Sequence, residues 1–318
     1  MNPKNIHHLA QRPLSRRNLL RGLGVGALGA GVNLAAVQAQ AVPTEGSPQK
    51  ILGLERTTVG GIEIMMIKDS SLQLPPDAFG GGAPEGAVSK LLGRYNLPTD
   101  SIAASTNVLL LRSGDVLTLI DSGNGGNLLP SLAALGVSPA DVNHVVLTHW
   151  HGDHVSGVSA NGTLNFPNAA HHFPKLDWNF LQAQAGSDES IQGSLDKMQP
   201  AEDAGQLELY ESDAELVPGL TTVAALGHTP GHHALLLSSG EAQLLIMGDT
   251  ANHPIAALAH PEWSFGFDAD AAQATKSRRA LYGRAADEGL RVAAYHFAFP
   301  GFGYVIRDGD GFQFTAAV

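Results

Sequence analysis

Three histidines and an aspartate lie in the six residues His149-Trp150-His151-Gly152-Asp153-His154, which directly follow the apolar run 142–147. Neutral imidazole nitrogens and carboxylate oxygens are both good ligands for zinc and the neighbouring transition metals. In a loop that leaves a strand, the first two histidines can point to one side while the Asp-His pair points beyond them. The spacing therefore indicates two adjacent divalent ions better than one.

Three further motifs each place a potential ligand just beyond an apolar, strand-like run. They are Gly227-His228-Thr229-Pro230-Gly231-His232, Gly248-Asp249-Thr250 and Tyr295-His296-Phe297. Binding and catalytic residues are concentrated in such loops because a rigid scaffold positions them. Each motif is weak by itself, but their order behind the histidine run is a strong combination.

The first 41 residues have the pattern of an export signal. A twin-arginine segment (Ser15–Arg21) leads into the weakly apolar, glycine-containing stretch 22–37 and the small-residue cleavage signal Ala39-Gln40-Ala41. A bilayer span needs about 20 consecutive apolar residues, which this stretch lacks. We therefore predict a twin-arginine signal peptide over residues 1–41, no stable membrane anchor, and a mature domain (residues 42–318) that is periplasmic or secreted.

Charge and cysteine content exclude several classes of function. Five of the 19 basic residues and none of the 30 acidic residues lie in residues 1–41, so residues 42–318 carry a formal net charge of −16. A nucleic-acid partner is not expected because it would need a basic face. The sequence has no cysteine, which excludes disulfides, a thiolate nucleophile and cysteine-ligated metal.

Strand and helix signals alternate along the rest of the chain. They predict hairpins at 54–67 and 106–120, further strands at 142–147, 169–173, 207–210, 220–225, 234–237, 243–247 and 290–294, and helices at 127–135, 175–198 and 269–287. Residues 69–100 are rich in Pro and Gly and are predicted to form a long surface excursion, which is a candidate subunit contact in a homodimer. The pattern favours one α/β domain of two sheets with helices outside.

Taken together, the motifs resemble the metallo-β-lactamase superfamily of dinuclear hydrolases over residues 54–318. The resemblance implies an α/β fold in which two mixed sheets and outer helices form a four-layer αβ/βα sandwich. It also implies a first metal held by His149, His151 and His228, a second held by Asp153, His154 and His296, and Asp249 as the bridge between them. Asp121, in the Asp121-Ser122-Gly123 turn, is expected to orient a ligand histidine.

Within the superfamily, the chain most resembles methyl parathion hydrolase and related exported hydrolases, with quorum-quenching acyl-homoserine lactonases as neighbours. The resemblance rests on the interval of 21 residues from His228 to Asp249, the 47 residues from Asp249 to His296, and the aromatic segment 296–303. It implies hydrolysis of neutral, apolar esters, which are organophosphate triesters, aryl esters or lactones. Acyl-homoserine lactone hydrolysis is the alternative main activity.

The expected mechanism follows from the charge of two metal ions. Two divalent ions roughly 3.5–4 Å apart lower the pKa of a shared water toward about 7, so that a bridging hydroxide can attack the ester. Either Asp153 or Asp249 would then shuttle the proton. Zinc is the first choice of metal, while manganese, iron and cobalt accept the same ligands.

Two other classes of protein remain as alternatives. A mononuclear-iron persulfide dioxygenase would use only the ligands of the first metal, so a complete second ligand set argues against it. A non-catalytic metal-scavenging protein would not need a bridging Asp249 or an apolar aromatic pocket. Metal content and metal-dependent turnover distinguish both from a hydrolase.

Histidines and aromatic residues outside the motifs carry weaker predictions. His232 and His233 are assigned to a supporting role behind the ligands or to a strand surface, and His144 to the core. His171 and His172 are candidates for lining the cleft, with a structural role as the alternative, and His253 and His260 are candidates for touching substrate. The candidates for an apolar substrate pocket, with core packing as the alternative, are Trp178, Phe180, Trp263, Phe265, Phe267, Phe299 and Phe302.

Overall fold

Two seven-stranded mixed sheets form the centre of the fold, which a computed structural model describes for residues 53–317. The predicted signal peptide and the first residues of the predicted mature domain lie outside the described residues. The first sheet contains Leu54–Val59 (β1), Ile62–Leu74 (β2), Ile102–Ser113 (β3), Val116–Ile120 (β4), His144–Val146 (β5), Ala170–Pro174 (β8) and Leu207–Tyr210 (β9). These strands lie in that order, antiparallel from β1 to β4 and parallel from β4 to β9.

The second sheet follows the chain from residue 215 to residue 316. Its strands are Glu215–Val217 (β10), Leu220–Ala224 (β11), His233–Ser239 (β12), Ala242–Ile246 (β13), Arg291–Ala293 (β14), Phe302–Asp308 (β15) and Gly311–Ala316 (β16). All neighbours are antiparallel except β13 and β14, which are parallel. A separate two-stranded ribbon pairs Ser159–Ala160 (β6) with Thr163–Leu164 (β7).

The helices lie around the two sheets. They are Ala87–Gly93 (α1), Leu128–Ala134 (α2), Gly152–Val155 (α3), Lys175–Ala183 (α4), Glu189–Asp203 (α5), Ala256–Ala259 (α6) and Ala271–Asp287 (α7), with short 3-10 turns at Pro76–Phe79, Pro139–Asp141 and Gly248–Thr250. One face of the first sheet packs on α2, α4 and α5, and the outer face of the second sheet packs on α6 and α7.

A third apolar cluster fills the space between the sheets. Alternation along the strands explains the layers, because successive side chains of a strand point to opposite faces. Val145 packs toward the helices, whereas its neighbour Val146 packs between the sheets against residues such as Ile246. The predicted four-layer sandwich of two mixed sheets is confirmed. Within residues 53–317, no helix is both long enough and apolar enough to cross a membrane.

Three parts of the predicted element map are wrong in detail. Residues 69–100 are not a simple surface excursion, because β2 continues to Leu74 and α1 buries its own apolar cluster around Phe79 and Leu92. The helical region 175–198 is two helices, since α4 ends at Ala183 and Asp188 starts α5 by accepting from the backbone N–H of Ser190. The C-terminal hairpin β15–β16 was absent from the predicted strands.

Candidate metal centre

Loops at the ends of central strands bring the predicted ligands together. The histidine run follows β5, His228 lies after β11, Asp249 follows β13, and His296 follows β14. Because parallel neighbours end at the same edge of a sheet, β13 and β14 place Asp249 and His296 side by side. Nε2 of His296 lies 3.1 Å from Oδ2 of Asp249.

The first group consists of His149, His151, His228 and Asp249, whose potential ligand atoms all lie within 4.8 Å of one another. Nδ1 of His151 lies 3.1 Å from Nε2 of His149 and 2.9 Å from Nε2 of His228. Three imidazole nitrogens thus converge on one point beside a carboxylate.

The second group consists of Asp153, His154 and His296, again with ligand atoms within 4.8 Å of one another. Asp249 lies between the two groups, because its Oδ2 is 3.2 Å from Nε2 of His228 in the first and its Oδ1 is 3.2 Å from Nε2 of His154 in the second. The structure therefore brings all seven predicted ligand residues to one place, with Asp249 at the junction.

Two orphaned polar atoms test whether these residues suit a cation. Nε2 of His154 and Oδ1 of Asp249 are both buried, face each other, and have no hydrogen-bond partner among the described residues. A buried polar atom without a partner costs free energy. A divalent ion would satisfy both atoms at once, and the donor set of imidazole and carboxylate fits such an ion.

The far nitrogen of most ligand histidines is held by a second residue. Nδ1 of His154 donates to Oδ2 of Asp121 at 2.9 Å, and Nδ1 of His296 donates to the carbonyl oxygen of Ser105 at 2.8 Å. These contacts leave Nε2 of each ring facing the cluster. Partners of this kind fix the orientation and tautomer of metal-binding histidines. The expected contact between Asp121 and a ligand histidine is present.

Asp121 is itself held in an unusual conformation. Its φ of 58° lies in the left-handed region, which non-glycine residues rarely adopt. Its carboxylate accepts from the backbone N–H of Thr148 at 2.8 Å, which fixes the start of the histidine loop. Backbone strain of this sort persists only where the surroundings enforce it, and functional sites are where it concentrates.

The pKa shifts differ among the histidines of the cluster. Burial opposes charge on His228, but Asp249 and Asp268 outweigh it and raise its pKa. Burial and the charge of His154 lower the pKa of His149 well below its usual value, and burial and His228 do the same to His151. Burial opposes charge on His154 too, but the carboxylates of Asp121, Asp249 and Asp153 outweigh it and raise its pKa well above the usual value.

The charged groups of the cluster shift the pKa of Asp249 downward. Burial alone would raise its pKa, but His296 and His154 lower it well below the usual value. Asp249 is therefore a carboxylate at neutral pH, as a bridging ligand must be. Its backbone N–H donates to Nε2 of His232 at 2.9 Å. His232 thus lies behind Asp249, in the supporting position that we predicted for it.

Two buried carboxylates that sequence reasoning missed also support the ligand loops. Asp268, 0% exposed in its side chain, lies 3.1 Å from Nδ1 of His228 and 2.5 Å from the guanidinium of the buried Arg278. Asp177 accepts from Trp150 N at 3.1 Å and from Thr229 Oγ1 at 2.8 Å, so it joins two ligand loops. Neither lies in a recognisable motif, so no sequence signal could have found them.

A cavity of about 300 Å³ opens onto the cluster. Its floor includes His151, Asp153, Asp249 and His296, and its apolar walls are Leu72, Leu74, Trp150, Phe265 and Phe267. Among the described residues, no lysine or arginine lines it. Asp153 is the more accessible carboxylate, with 17% of its side chain exposed against 3% for Asp249.

The weaker aromatic predictions are only partly correct. Phe265 and Phe267 line the cavity, and Trp150 lines it without having been predicted. The remaining candidates lie elsewhere. The core contains Trp178, Phe299 and Phe302. Phe180 packs beside Trp150, and Trp263 lines a different surface cavity.

The additional candidate histidines do not line the cavity. His253 accepts from the backbone N–H groups of Ile255 and Ala256, and His260 stacks on Trp263. His171 is buried on the same face of the first sheet as its neighbour Val145, toward the helices. His144 and His172 contact each other on the first sheet, and His233 contacts Ser212. We assign none of them to substrate contact.

This arrangement of fold and site defines a class. The chain belongs to the metallo-beta-lactamase superfamily, whose sequence model matches residues 102–296. The match begins at the first residue of β3 and ends at His296, so it contains all seven predicted ligands. The site is a His/Asp cluster that fits a divalent metal.

Among curated proteins, the chain is 33% identical over 173 residues to an atrochrysone carboxyl ACP thioesterase of Passalora fulva. It is 31% identical over 159 residues to the protein of the same name from Aspergillus fumigatus. These matches cover 51% and 48% of this chain and 42% and 31% of the relatives. The chain therefore matches less than half the length of either relative.

Solved structures share the fold over a longer range. AidC, a dizinc quorum-quenching lactonase in complex with a product, matches with a TM-score of 0.78 at 24% identity, covering 84% of this chain and 98% of AidC. The hydrolase AbOPH of the beta lactamase superfamily also matches with a TM-score of 0.78 at 24% identity, covering 85% of this chain and 99% of AbOPH. At these identities the likeness shows the fold alone.

Proposed function

We propose that this protein is a dinuclear, zinc-dependent hydrolase of uncharged esters and lactones that carry an apolar substituent. The observation that carries the proposal is the position of Asp249 between two ligand groups on the floor of an apolar cavity. Seven ligand residues are more than one ion needs, since structural and catalytic zinc sites use three or four protein ligands.

The walls of the cavity support an uncharged substrate. Five apolar or aromatic side chains face it, and no basic side chain among the described residues would bind a carboxylate or phosphate group. The half-exposed Phe267, with 53% of its surface accessible, offers a contact face at the mouth. Pockets of this kind gain affinity from apolar burial and take their orientation from a few polar groups.

Two divalent ions, when bound, would lower the pKa of a shared water and polarise the carbonyl or phosphoryl oxygen of the substrate. The residues of the chain supply the rest. Asp249 keeps the two ligand groups together, and the apolar walls hold the substituent and exclude water. Asp153, the more exposed carboxylate, is placed to pass a proton to the leaving oxygen at the cavity floor.

A lactone or simple ester is our first choice of substrate, and an organophosphate triester has the same uncharged, apolar character. Thioester hydrolysis is the second candidate, and the identity to two ACP thioesterases favours it. A thioester carries the same acyl carbon with a better leaving group. Among the described residues, no basic side chain lines the cavity. We therefore infer that the cavity binds the uncharged end of the substrate and not the phosphate of a carrier.

The test compares initial rates of the metal-loaded and the chelator-treated protein. The substrates are an acyl-homoserine lactone, an aryl ester, a methyl phosphotriester, an acyl thioester and a cephalosporin. We expect metal-dependent turnover led by the lactone or the aryl ester, two metal ions per chain, and loss of both in Asp249→Asn. His260→Ala, which alters a histidine outside the cavity, is the matched control. Two bound metals without turnover of any substrate would refute the substrate assignment.

The predicted location is a separate proposal. We propose that residues 1–41 direct twin-arginine export and are removed, which leaves residues 42–318 as a periplasmic or secreted domain. Cell fractionation and mass measurement of the exported chain test this.

The proposed homodimer would use the segment around α1, where Tyr95 and Leu97 are 52% and 38% exposed. Sedimentation of the wild type against Tyr95→Ser would reveal it.

A further inference from the structure

Outside the metal centre, two imidazoles face each other on the first sheet. Nδ1 of His144, at the start of β5, lies 3.0 Å from Nε2 of His172 on the parallel neighbour β8. His172 is buried, and His144 is half-buried. Neither residue belongs to the two ligand groups of the metal centre or lines its cavity.

The distance between the two nitrogens suits a shared metal ion. Nitrogens that are each about 2.0–2.1 Å from zinc lie about 2.9–3.4 Å apart when their angle at the metal is between a right angle and the tetrahedral value. The main centre has the same spacing, because Nε2 of His228 lies 2.9 Å from Nδ1 of His151. The pair His144–His172 repeats this contact between an Nε2 and an Nδ1.

A carboxylate contacts one imidazole of the pair, as it does in the main centre. Oε2 of Glu208, in register with His172 on β9, lies 3.3 Å from Nδ1 of His172. Asp268 lies in the same way 3.1 Å from Nδ1 of His228. A carboxylate at Nδ1 favours the tautomer with its proton on Nδ1 and leaves the lone pair of Nε2 directed at the other ring.

The charge state of the rings is also suitable for a ligand. Burial is the main cause that lowers the pKa of both His144 and His172, and the nearby Glu208 only partly opposes it. Both rings are therefore neutral at neutral pH, and a neutral imidazole is the form that binds metals.

We propose that His144 and His172 form a further binding site for a divalent transition-metal ion, with Glu208 orienting His172 and water completing the coordination. Since only two side chains bind the ion, its affinity is lower than that of the main centre. Imidazole ligands favour Zn²⁺, Ni²⁺ and Cu²⁺ over Mg²⁺ or Ca²⁺. The site shares no residue with the main centre or its cavity and does not depend on the proposed hydrolase activity.

The test counts zinc per chain after equilibrium dialysis of the tag-free full-length protein against Zn²⁺. We expect the wild type to hold one more zinc than His144→Ala, and Glu208→Gln to retain the additional zinc with about tenfold lower affinity. His260→Ala is the matched control, because Nδ1 of His260 also lies 3.0 Å from a carboxylate, that of Glu262, while its ring faces Trp263 and not a second imidazole. It should bind as much zinc as the wild type.

Equal zinc in the wild type and His144→Ala at saturation would overturn the proposal. His172→Ala should match His144→Ala. If that buried substitution prevents folding, His144→Ala decides alone, because His144 is half-buried. The difference between the variants is measured whether or not the main centre loads, so failure of this site and failure of the proposed hydrolase remain distinguishable.

Discussion

Removing the charge of Asp268 tests how the metal centre is held from behind. The substitution Asp268→Asn preserves the volume of the side chain but leaves the guanidinium of Arg278, which is 1% exposed, without a counter-ion. Removing one partner of a buried ion pair costs about 3–5 kcal/mol, because the other charge stays buried and uncompensated. We expect a loss of that order in the free energy of unfolding of the metal-free chain, measured with denaturant.

The same substitution should weaken metal binding through His228. Asp268 lies 3.1 Å from Nδ1 of His228, whose Nε2 faces the first ligand group. Loss of such an outer partner lowers metal affinity about 10–100-fold, which corresponds to about 1.4–2.7 kcal/mol. Chelator competition followed by metal counting should show one ion lost early and a second retained.

A double variant separates the two effects. Asp268→Asn combined with Arg278→Gln removes both charges, so most of the stability should return while metal affinity stays low. Asp287→Asn is the control, because its carboxylate pairs with Arg307 at 2.7 Å on the surface, where a salt bridge contributes about 0–1 kcal/mol. The reasoning is refuted if Asp268→Asn binds both metals as the wild type does, or if the double variant restores affinity together with stability.

Three further outcomes are expected. Burial lowers the pKa of His171 to about 4, so between pH 6.5 and pH 4 the unfolded chain binds a proton that the folded chain does not. Stability should therefore fall by about 3 kcal/mol as pH drops through this window, and His171→Leu should flatten that slope in urea titrations at pH 7, 5.5 and 4.5. Phe267→Ala should lower kcat/KM for a hexanoyl ester about fivefold and leave an acetyl ester unchanged, with the remote Tyr304→Ala as control; an equal loss on both esters would count against the apolar wall. Asp69→Asn should lose about 3 kcal/mol in denaturant unfolding, because the buried carboxylate accepts from the N–H groups of residues 124, 126 and 128, and a loss below about 1 kcal/mol would contradict this.

The parts of the fold that could be predicted from sequence are those with a local signal. The hairpin of β1 and β2 has Gly60-Gly61 between two apolar runs, and the structure pairs Val59 with Ile62 across that turn. Residues 302–316 gave no comparable signal in the prediction, although they form β15 and β16. The first of these strands pairs with β14 through tertiary contacts and exposes Tyr304 and Ile306, so alternation with polar residues is weak there.

The convergence of the candidate ligands could be predicted because each of them lies in a motif at a strand end, where backbone geometry alone brings such residues together. The residues that orient the ligands could not be predicted in the same way. Asp268 lies 40 residues after His228 in a loop before α7, and only the packing of α7 against the second sheet brings Arg278 beneath it. A carboxylate with such a role looks like any surface aspartate in the sequence.

Asp177 shows the physical reason why the residues that support the ligands could not be predicted from the sequence. Its carboxylate is buried at the start of α4, and burial raises its pKa to about 7 despite the groups that donate to it. Those donors include the backbone N–H of Trp150, in the first ligand loop, and the backbone N–H of Gly231, three residues after His228. A Cβ on Gly231 would approach the backbone nitrogen of Asp177 to 2.6 Å, so glycine is required there by the close approach. Ligands are fixed by local chemistry that a sequence displays, whereas their supports depend on long-range contacts that only the folded chain creates.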